Sequence, residues 1–328
     1  MTISSVVDIV HGELLNTPSI NRVEQVRVDA KKVKRGDLFI SLFGNEIDTA
    51  IENGAYAVIV PKNYPVKDDE TAWIGVEDTN LAMLHLLRYL LVKRDIRFIH
   101  CEEPLCVLAT ALLGRNRSVM ILDRPVFHLV DTLIEREEIA YCLSHDRAML
   151  ETLASDVETM PLTEEPVTVL KASLFHTEMA FRGMRYSFPV ASRLSRHLAS
   201  LIVFCEANDL EFGWSLGGVE SVFRALYLTR ELRLSTTPTE RVIIIDRAYS
   251  NAYVAESEAF LNENFRWGKV ILFSAVPKEG TRVYTSAEEL RSMLKTERFH
   301  YAYVLSDDPE ALIDAFSRVS TRSDAVLF

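Results

Sequence analysis

The stretch that most constrains the fold of this chain runs from Arg241 to Phe260, RVIIIDRAYSNAYVAESEAF. Its aliphatic residues Val242 to Ile245 follow one another without a polar break, which is typical of a strand that is buried on both faces. Asp246 ends this run, a short polar turn follows, and a helix is predicted to begin at Val254. Such a strand, turn and helix predict an open α/β sheet, in which ligands collect at the carboxyl ends of the strands.

The same alternation is predicted earlier in the chain. Short strands at Val26 to Asp29, Leu38 to Phe43 and Ala55 to Val60 are separated by turns and a short helix, and Asp78 or Thr79 is expected to cap the next helix. Further strands and helices alternate from Arg97 to Leu162. The pattern therefore predicts α/β domains along the whole chain.

Composition excludes several classes of function. The net charge of −11 comes from interspersed acids and bases, which argues against a general surface for nucleic acids or anionic membranes. The longest apolar stretch, Leu81 to Val92, is interrupted by His85 and Arg88, so no membrane insertion is expected. The first residues lack the features of a signal peptide, and the four cysteines form no CxxC pair and no disulfide-like framework. We expect a cytoplasmic protein.

The N-terminal segment carries an ordered set of short motifs: Asp29-Ala30-Lys31, Gly36-Asp37-Leu38-Phe39, Gly44, Asn53-Gly54-Ala55 and Asp78-Thr79. In order and spacing this set resembles the UDP-binding domain of the Mur ligases, whose pattern runs DSR, GDLF, G, GA and DT. Ala30 and Lys31 stand where the family has the serine and arginine of DSR. The loop after Gly44 is also shorter and lacks the family's DGHDF-like piece. The resemblance implies that this fold is retained and that its affinity for UDP is weakened.

The C-terminal segment resembles the same family, closest to the member that adds D-alanyl-D-alanine. Asp246, Tyr249 and Asn251 lie where that family has DDSYNANP, and Arg230 lies in a turn similar to its GR-x-E turn. The resemblance implies three domains: an N-terminal α/β UDP-binding-like domain (1–92), a reduced central doubly wound domain (93–237) and a shortened Rossmann-like domain (238–328). It implies a remnant ligand-binding set of eight residues: Asp29, Ala30, Lys31, Gly44, Arg230, Asp246, Tyr249 and Asn251.

The family's ATP-binding loop belongs in the turn after the strand at Arg97 to Cys101. Such a loop needs glycines, a lysine and a hydroxyl to hold the phosphates and Mg²⁺. This chain instead has Glu102-Glu103-Pro104, whose carboxylates at a helix start repel a triphosphate. The family also has a polar motif, with a glycine, a histidine and two asparagines, after a predicted β-hairpin. In this chain Val190, Ser192, Arg193 and Arg196 stand at those positions. We therefore predict no catalytic residue, no metal and no cofactor; ATP and Mg²⁺ are expected only if the chain is an active ligase.

Three further clusters have both a functional and a structural interpretation. His100-Cys101 with Cys142 and His145 could bind zinc, although their spacing is unlike that of usual zinc sites and buried cysteines are common in strands. Glu102 and Glu103 could form an acid/base pair or simply favour the helix start. Arg193, Arg196 and His197 could bind a phosphate or form a solvated helix face.

Three functions remain open from the sequence. The first is a catalytically inactive Mur-ligase-like protein that binds a UDP-N-acetylmuramoyl peptide or a protein of cell-wall synthesis. The second is an ATP-dependent ligase with a divergent nucleotide site. The third is a structural or assembly partner without a small-molecule ligand.

Overall fold

The computed structural model describes residues 1–44, 46–171, 176–213, 223–247, 258–263, 266, 268–306 and 308–322. The chain divides into two compact units. The first comprises Met1–Cys101 and Arg117–Met160, and the second comprises Glu102–Asn116 and Pro161–Phe328. The domain boundaries expected after residues 92 and 237 stay predictions.

Among the described residues, the strands are β1 Glu13–Leu14, β2 Val26–Arg27, β3 Leu38–Ile40, β4 Ala57–Pro61, β5 Ala72–Val76, β6 Arg97–His100, β7 Val119–Ile121, β8 Tyr141–Ser144, β9 Val157–Thr159, β10 Thr168–Lys171, β11 Thr177–Phe181, β12 Met184–Phe188, β13 Phe223–Leu228, β14 Leu234–Ser235, β15 Arg241–Arg247, β16 Val270–Ser274, β17 Arg282–Val283 and β18 Tyr301–Ser306. The helices are α1 Ile3–Val10, α2 Ile47–Glu52, α3 Thr79–Val92, α4 Glu103–Leu113, α5 Val130–Glu135, α6 Arg147–Leu153, α7 Ser195–Ala207, α8 Ala287–Thr296 and α9 Pro309–Arg322. Residues 258–263 are also helical.

The first unit contains two sheets. The N-terminal sheet has the order β1-β5-β4-β3-β2, and its strands β2 to β5 pair in parallel. The second has the order β7-β8-β6-β9, and all of its pairs are parallel. The strands expected in both segments are therefore confirmed. Parallel strands of one sheet need crossover connections. α2 connects β3 to β4 in the first sheet, and α4, α5 and α6 connect the successive strands β6 to β9 of the second.

Local chemistry explains where the N-terminal helices begin and end. Asp78 caps α3, because its Oδ1 accepts hydrogen bonds from the N–H groups of Asn80 (2.8 Å) and Leu81 (3.2 Å). Gly54 lies just beyond α2 with φ +97°, and a Cβ there would lie 3.0 Å from the Cα of Arg35. Only glycine adopts this conformation beside another main chain without strain.

One cluster of buried side chains joins the two sheets of the first unit. Ile59 of β4, Leu86 of α3, Leu133 of α5 and Cys142 of β8 all belong to it, and each is fully buried. Main-chain contacts reinforce this packing: the Arg94 guanidinium donates to the carbonyl oxygens of Leu133 (2.5 Å) and Arg136 (2.6 Å). The two sheets therefore share a hydrophobic core.

The second unit contains the antiparallel sheet β10-β11-β12, and helix α4 packs against α7. Its larger sheet has the order β14-β13-β15-β18-β16-β17, with β15, β18, β16 and β17 parallel. Ile243 and Ile245 of β15 face one buried cluster, while Val242 and Ile244 face another. The expectation that this strand is buried on both faces is confirmed.

The four cysteines are in two different states. Cys101 and Cys106 are disulfide-bonded, whereas Cys142 and Cys205 are buried free thiols. The cysteine spacing did not indicate a disulfide, because a CxxxxC spacing across a strand end and the first helical turns is not a disulfide-like pattern. Burial raises the pKa of both free thiols to about 12. Within the described ranges, no helix is long and apolar enough to cross a membrane.

Candidate ligand-binding site

Asp29, Ala30 and Lys31 lie directly after β2. The Oδ1 atom of Asp29 accepts the Lys31 N–H at 3.0 Å and so caps the short 3₁₀ turn Ala30–Lys32. Ala30 is buried, and its carbonyl oxygen accepts a hydrogen bond from Nδ2 of Asn53 at 2.9 Å. Lys31 is exposed. The motif is therefore a rigid turn that presents a lysine to the solvent.

Gly44 lies after the neighbouring strand β3, with φ +78°. Its N–H donates to Oγ of Ser41 at 3.2 Å, which tightens the turn. The adjacent Phe43 is 74% exposed, an unusual environment for so large an apolar side chain. Because β2 and β3 are parallel neighbours, Asp29 to Lys31 and Phe43-Gly44 lie at the same edge of the sheet.

Phe43 belongs to an aromatic cluster with Phe127 and His128. The rings of Phe43 and Phe127 meet edge to face with centroids 5.9 Å apart, and those of Phe127 and His128 are 4.0 Å apart. Phe127 and His128 belong to the 3₁₀ turn Val126–His128, which follows β7. Sequence reasoning missed this aromatic cluster. The only available signal was a phenylalanine just beyond a strand, beside a glycine.

Buried charges beneath this edge are matched within the protein. Arg27, which is 4% exposed, pairs with Asp37 at 3.4 Å and with Glu135. Asp131, which is also buried, accepts the main-chain N–H of Val28 at 3.0 Å. Burial raises the pKa of the Asp131 carboxyl, while that N–H and the neighbouring cations lower it less. These groups hold β2 against α5 and leave Lys31 and the aromatic cluster to face outward.

The edge is suited to binding. Aromatic faces stack on planar rings, and an exposed ammonium group neutralises a phosphate. A ligand with a base and a phosphate matches both features of the edge.

The strand-to-helix turn after β6 has the opposite charge. Glu102 is the N-cap residue of α4 but makes no capping bond through its side chain, and Glu103 lies in the first turn. Nε2 of His197, a buried residue near the start of α7, lies 3.3 Å from Oε2 of Glu102. Arg196 uses its Nε to donate to the carbonyl oxygen of Thr163 at 2.8 Å. The predicted acid/base and phosphate-binding roles of these side chains stay predictions.

The C-terminal candidates are separated. Asp246 is fully buried at the end of β15, where it accepts a 2.5 Å hydrogen bond from the Tyr303 hydroxyl. The carbonyl oxygen of Arg230 accepts a hydrogen bond from Arg241, at the other end of β15. By strand rise, Arg241 lies roughly 16 Å from Asp246. The Arg230 side chain is 85% exposed. Tyr249 and Asn251 lie outside the described residues.

The proposed zinc cluster loses one of its ligands, because the sulfur of Cys101 is disulfide-bonded and cannot bind a metal as a thiolate. Among the residues that the structure describes, no group of three or more His, Cys, Asp and Glu side chains could hold a metal ion.

No protein-family model matches the chain, and no curated protein matches it. Solved structures do. MurF from Acinetobacter baumannii is 13% identical, with a TM-score of 0.56, and the match covers 97% of this chain and 98% of that chain. A UDP-N-acetylmuramoylalanyl-D-glutamyl-2,6-diaminopimelate–D-alanyl-D-alanyl ligase from the same organism is 12% identical, with a TM-score of 0.52 and 98% coverage of both chains. At such low identities the likeness shows the fold alone, and it confirms the fold that the sequence resemblance implied.

Proposed function

We propose that this chain, which has the fold of the Mur ligases, binds a UDP-N-acetylmuramoyl peptide and does not ligate it. The observation that carries this proposal is the contrast between two places in the fold. The edge after β2 and β3 presents Lys31 and the aromatic cluster, whereas the turn into α4 begins with Glu102 and Glu103. The protein would act in the cytoplasm, where peptidoglycan precursors are made.

The edge after β2 and β3 supports recognition of the UDP portion. Phe43 offers an exposed face for the uracil ring, and stacking of a base on an aromatic side chain contributes ~1–3 kcal/mol. Lys31 would neutralise one phosphate of the diphosphate. Asp29 uses one carboxylate oxygen to hold the turn, so it would contribute by positioning Lys31.

The start of α4 argues against ATP as a cofactor. A helix N-terminus attracts anions, but Glu102 and Glu103 already place negative charge there. His197 lies beside Glu102 in the structure. A triphosphate would have to approach these carboxylates without the lysine and glycines of a phosphate loop, and ATP with Mg²⁺ would be needed only by an active ligase.

Isothermal titration calorimetry of the full chain tests the proposal with three ligands: a UDP-N-acetylmuramoyl peptide, UDP alone, and ATP with Mg²⁺. We expect saturable binding of the first two and no heat from the third. Saturable Mg-ATP binding together with ATP turnover in the presence of the peptide and D-alanyl-D-alanine would overturn the proposal in favour of a ligase. Silence with all three ligands would favour a role as a protein partner in cell-wall synthesis.

Substitutions locate the binding. Phe43→Ala should weaken UDP binding about tenfold, the lower part of the stacking range, while Val92→Ala, which also removes an exposed apolar side chain (83% exposed), should not change it. Lys31→Glu should weaken UDP binding as well. Its control is Lys93→Glu, which makes the same change of charge. Lys93 follows the last residue of the 14-residue helix α3, and the length of this helix places it roughly 21 Å from the helix start, which follows β5.

A further inference from the structure

The described part of the C-terminal sheet has a cleft at the end of β15 opposite to Asp246. It occupies about 930 Å³ and lies where β15, β16 and β18 begin and β13 ends. The side chains around it are Leu228, Thr229, Arg230, Thr239, Glu240, Arg241, Lys269, Arg298, Phe299 and His300. We call it the basic cleft. Its volume lies in the range of small-molecule sites.

The charge of the basic cleft opposes that of the chain. The whole sequence carries −11, yet the cleft lining holds Arg230, Arg241, Lys269 and Arg298 against the single carboxylate of Glu240. Nη2 of Arg230 lies 4.0 Å from Oε2 of Glu240, and both side chains are more than 80% exposed. Glu240 therefore neutralises the charge of Arg230 only weakly. A local excess of positive charge therefore remains.

Glu297, an acid just outside the cleft, is shared between two cations. Glu297 lies 3.7 Å from Nζ of Lys269, but it also pairs with Arg282. Within the described residues, Arg298 forms no ion pair and its side chain is exposed. The excess charge is thus available to a ligand.

The Arg241 guanidinium and the main chain at Lys269 are held in place by neighbouring groups. Arg241 donates from Nη1 to the Arg230 carbonyl oxygen at 3.2 Å, and its guanidinium carbon lies 5.4 Å from the ring centroid of the buried Phe299. The Lys269 N–H donates to Nδ1 of His300 at 2.9 Å, and the His300 N–H donates back to the Lys269 carbonyl oxygen at 2.9 Å. A ligand would find part of this site already ordered, which reduces the entropic cost of binding.

We propose that the basic cleft binds a small phosphorylated molecule through its phosphate or diphosphate group. Guanidinium groups match phosphate oxygens in charge and in planar geometry, and three of the four cations are arginines. A long nucleic acid would require an extended basic surface, which a chain of net charge −11 does not favour. This site is separate from the edge after β3 and does not rest on the function proposed above.

Titration of the full chain with inorganic pyrophosphate at low ionic strength tests the inference. We expect saturable binding that weakens as salt increases. Arg298→Glu should weaken it at least tenfold, the usual order for a lost charge-assisted contact combined with an added repulsion. Lys278→Glu is the matched control: it makes the same change of charge on the same sheet, but beyond the carboxyl end of β16.

Two further comparisons make the outcome decisive. Lys269→Gln should also weaken pyrophosphate binding. This second variant shows that the loss in Arg298→Glu comes from the cleft and not from misfolding of that one variant. Phe43→Ala should leave pyrophosphate binding unchanged, and UDP binding that survives Arg298→Glu but not Phe43→Ala belongs to the other site. Equal loss in Arg298→Glu and Lys278→Glu, no binding at millimolar pyrophosphate, or equal affinity for sulfate would each overturn the inference.

Discussion

Asp246 occupies a position of the DDSYNANP-like motif, yet its side chain is buried in the core. The sequence indicated a strand end, and the structure confirms it, but the carboxylate is fully buried and bonded to the Tyr303 hydroxyl. Removal of the Tyr303 hydroxyl would break this buried hydrogen bond, at a cost of ~0.5–1.5 kcal/mol. Two strands far apart in sequence place these groups together, so this partner could not be predicted from the residues around Asp246.

Asp131 carries the first prediction, which concerns pH. Burial raises the pKa of this carboxyl in the folded protein, so the folded state holds its proton more tightly than the unfolded chain does. The contribution of Asp131 to the free energy of unfolding must therefore fall as the pH rises above 3.8, the ordinary value. Asp131→Asn keeps an oxygen for the Val28 N–H and cannot ionise.

We expect Asp131→Asn to be more stable than the native chain at pH 7, and we expect this advantage to shrink as the pH approaches 3.8. Urea denaturation at a series of pH values measures it. Asp123→Asn, which changes an exposed carboxylate, serves as the control and should show no comparable trend. A constant difference at all pH values would mean that the effect of Asp131→Asn does not come from ionisation.

At the scale of elements, local signals made much of the fold predictable. The Asp78 cap and the apolar run of β15 each depend on neighbouring residues, and both are confirmed. Contacts between distant segments could not be predicted. The hydrogen bond from Val28 to Asp131 spans 103 residues, and the aromatic cluster joins turns that follow strands of two different sheets. The candidate site depends on these distant contacts, so its residues were only partly found.

The α3 cap gives the second prediction. Asp78→Ala leaves the N–H groups of Asn80 and Leu81 without their acceptor and should lower the free energy of unfolding by ~1 kcal/mol. Asp78→Asn retains an oxygen acceptor and should lose only a small part of this. Chemical denaturation followed by circular dichroism measures both variants. Equal losses would show that the charge near the helix start, rather than the hydrogen bonds, provides the stabilisation.

At the scale of the whole molecule, the first unit is notable because its two sheets share one cluster of buried side chains. The domain boundary expected after residue 92 falls between these sheets, within a single hydrophobic core. Leu133 of α5 is fully buried in that core, together with Ile59 of the first sheet and Cys142 of the second. A defect at Leu133 should therefore loosen both sheets.

The third prediction follows from this shared core. Leu133→Ala removes a fully buried side chain and should destabilise the first unit by ~2–5 kcal/mol, depending on how far the cavity collapses. Hydrogen exchange should then speed up in β4 and in β8 to a similar degree, because both strands open in the same cooperative event. Leu290→Ala, an equally buried position in α8 of the second unit, should leave exchange in β4 and β8 unchanged. Faster exchange in β8 alone would show that the two sheets unfold independently. Each sheet would then have to be treated as a separate domain when stabilisation by a ligand bound after β2 and β3 is measured.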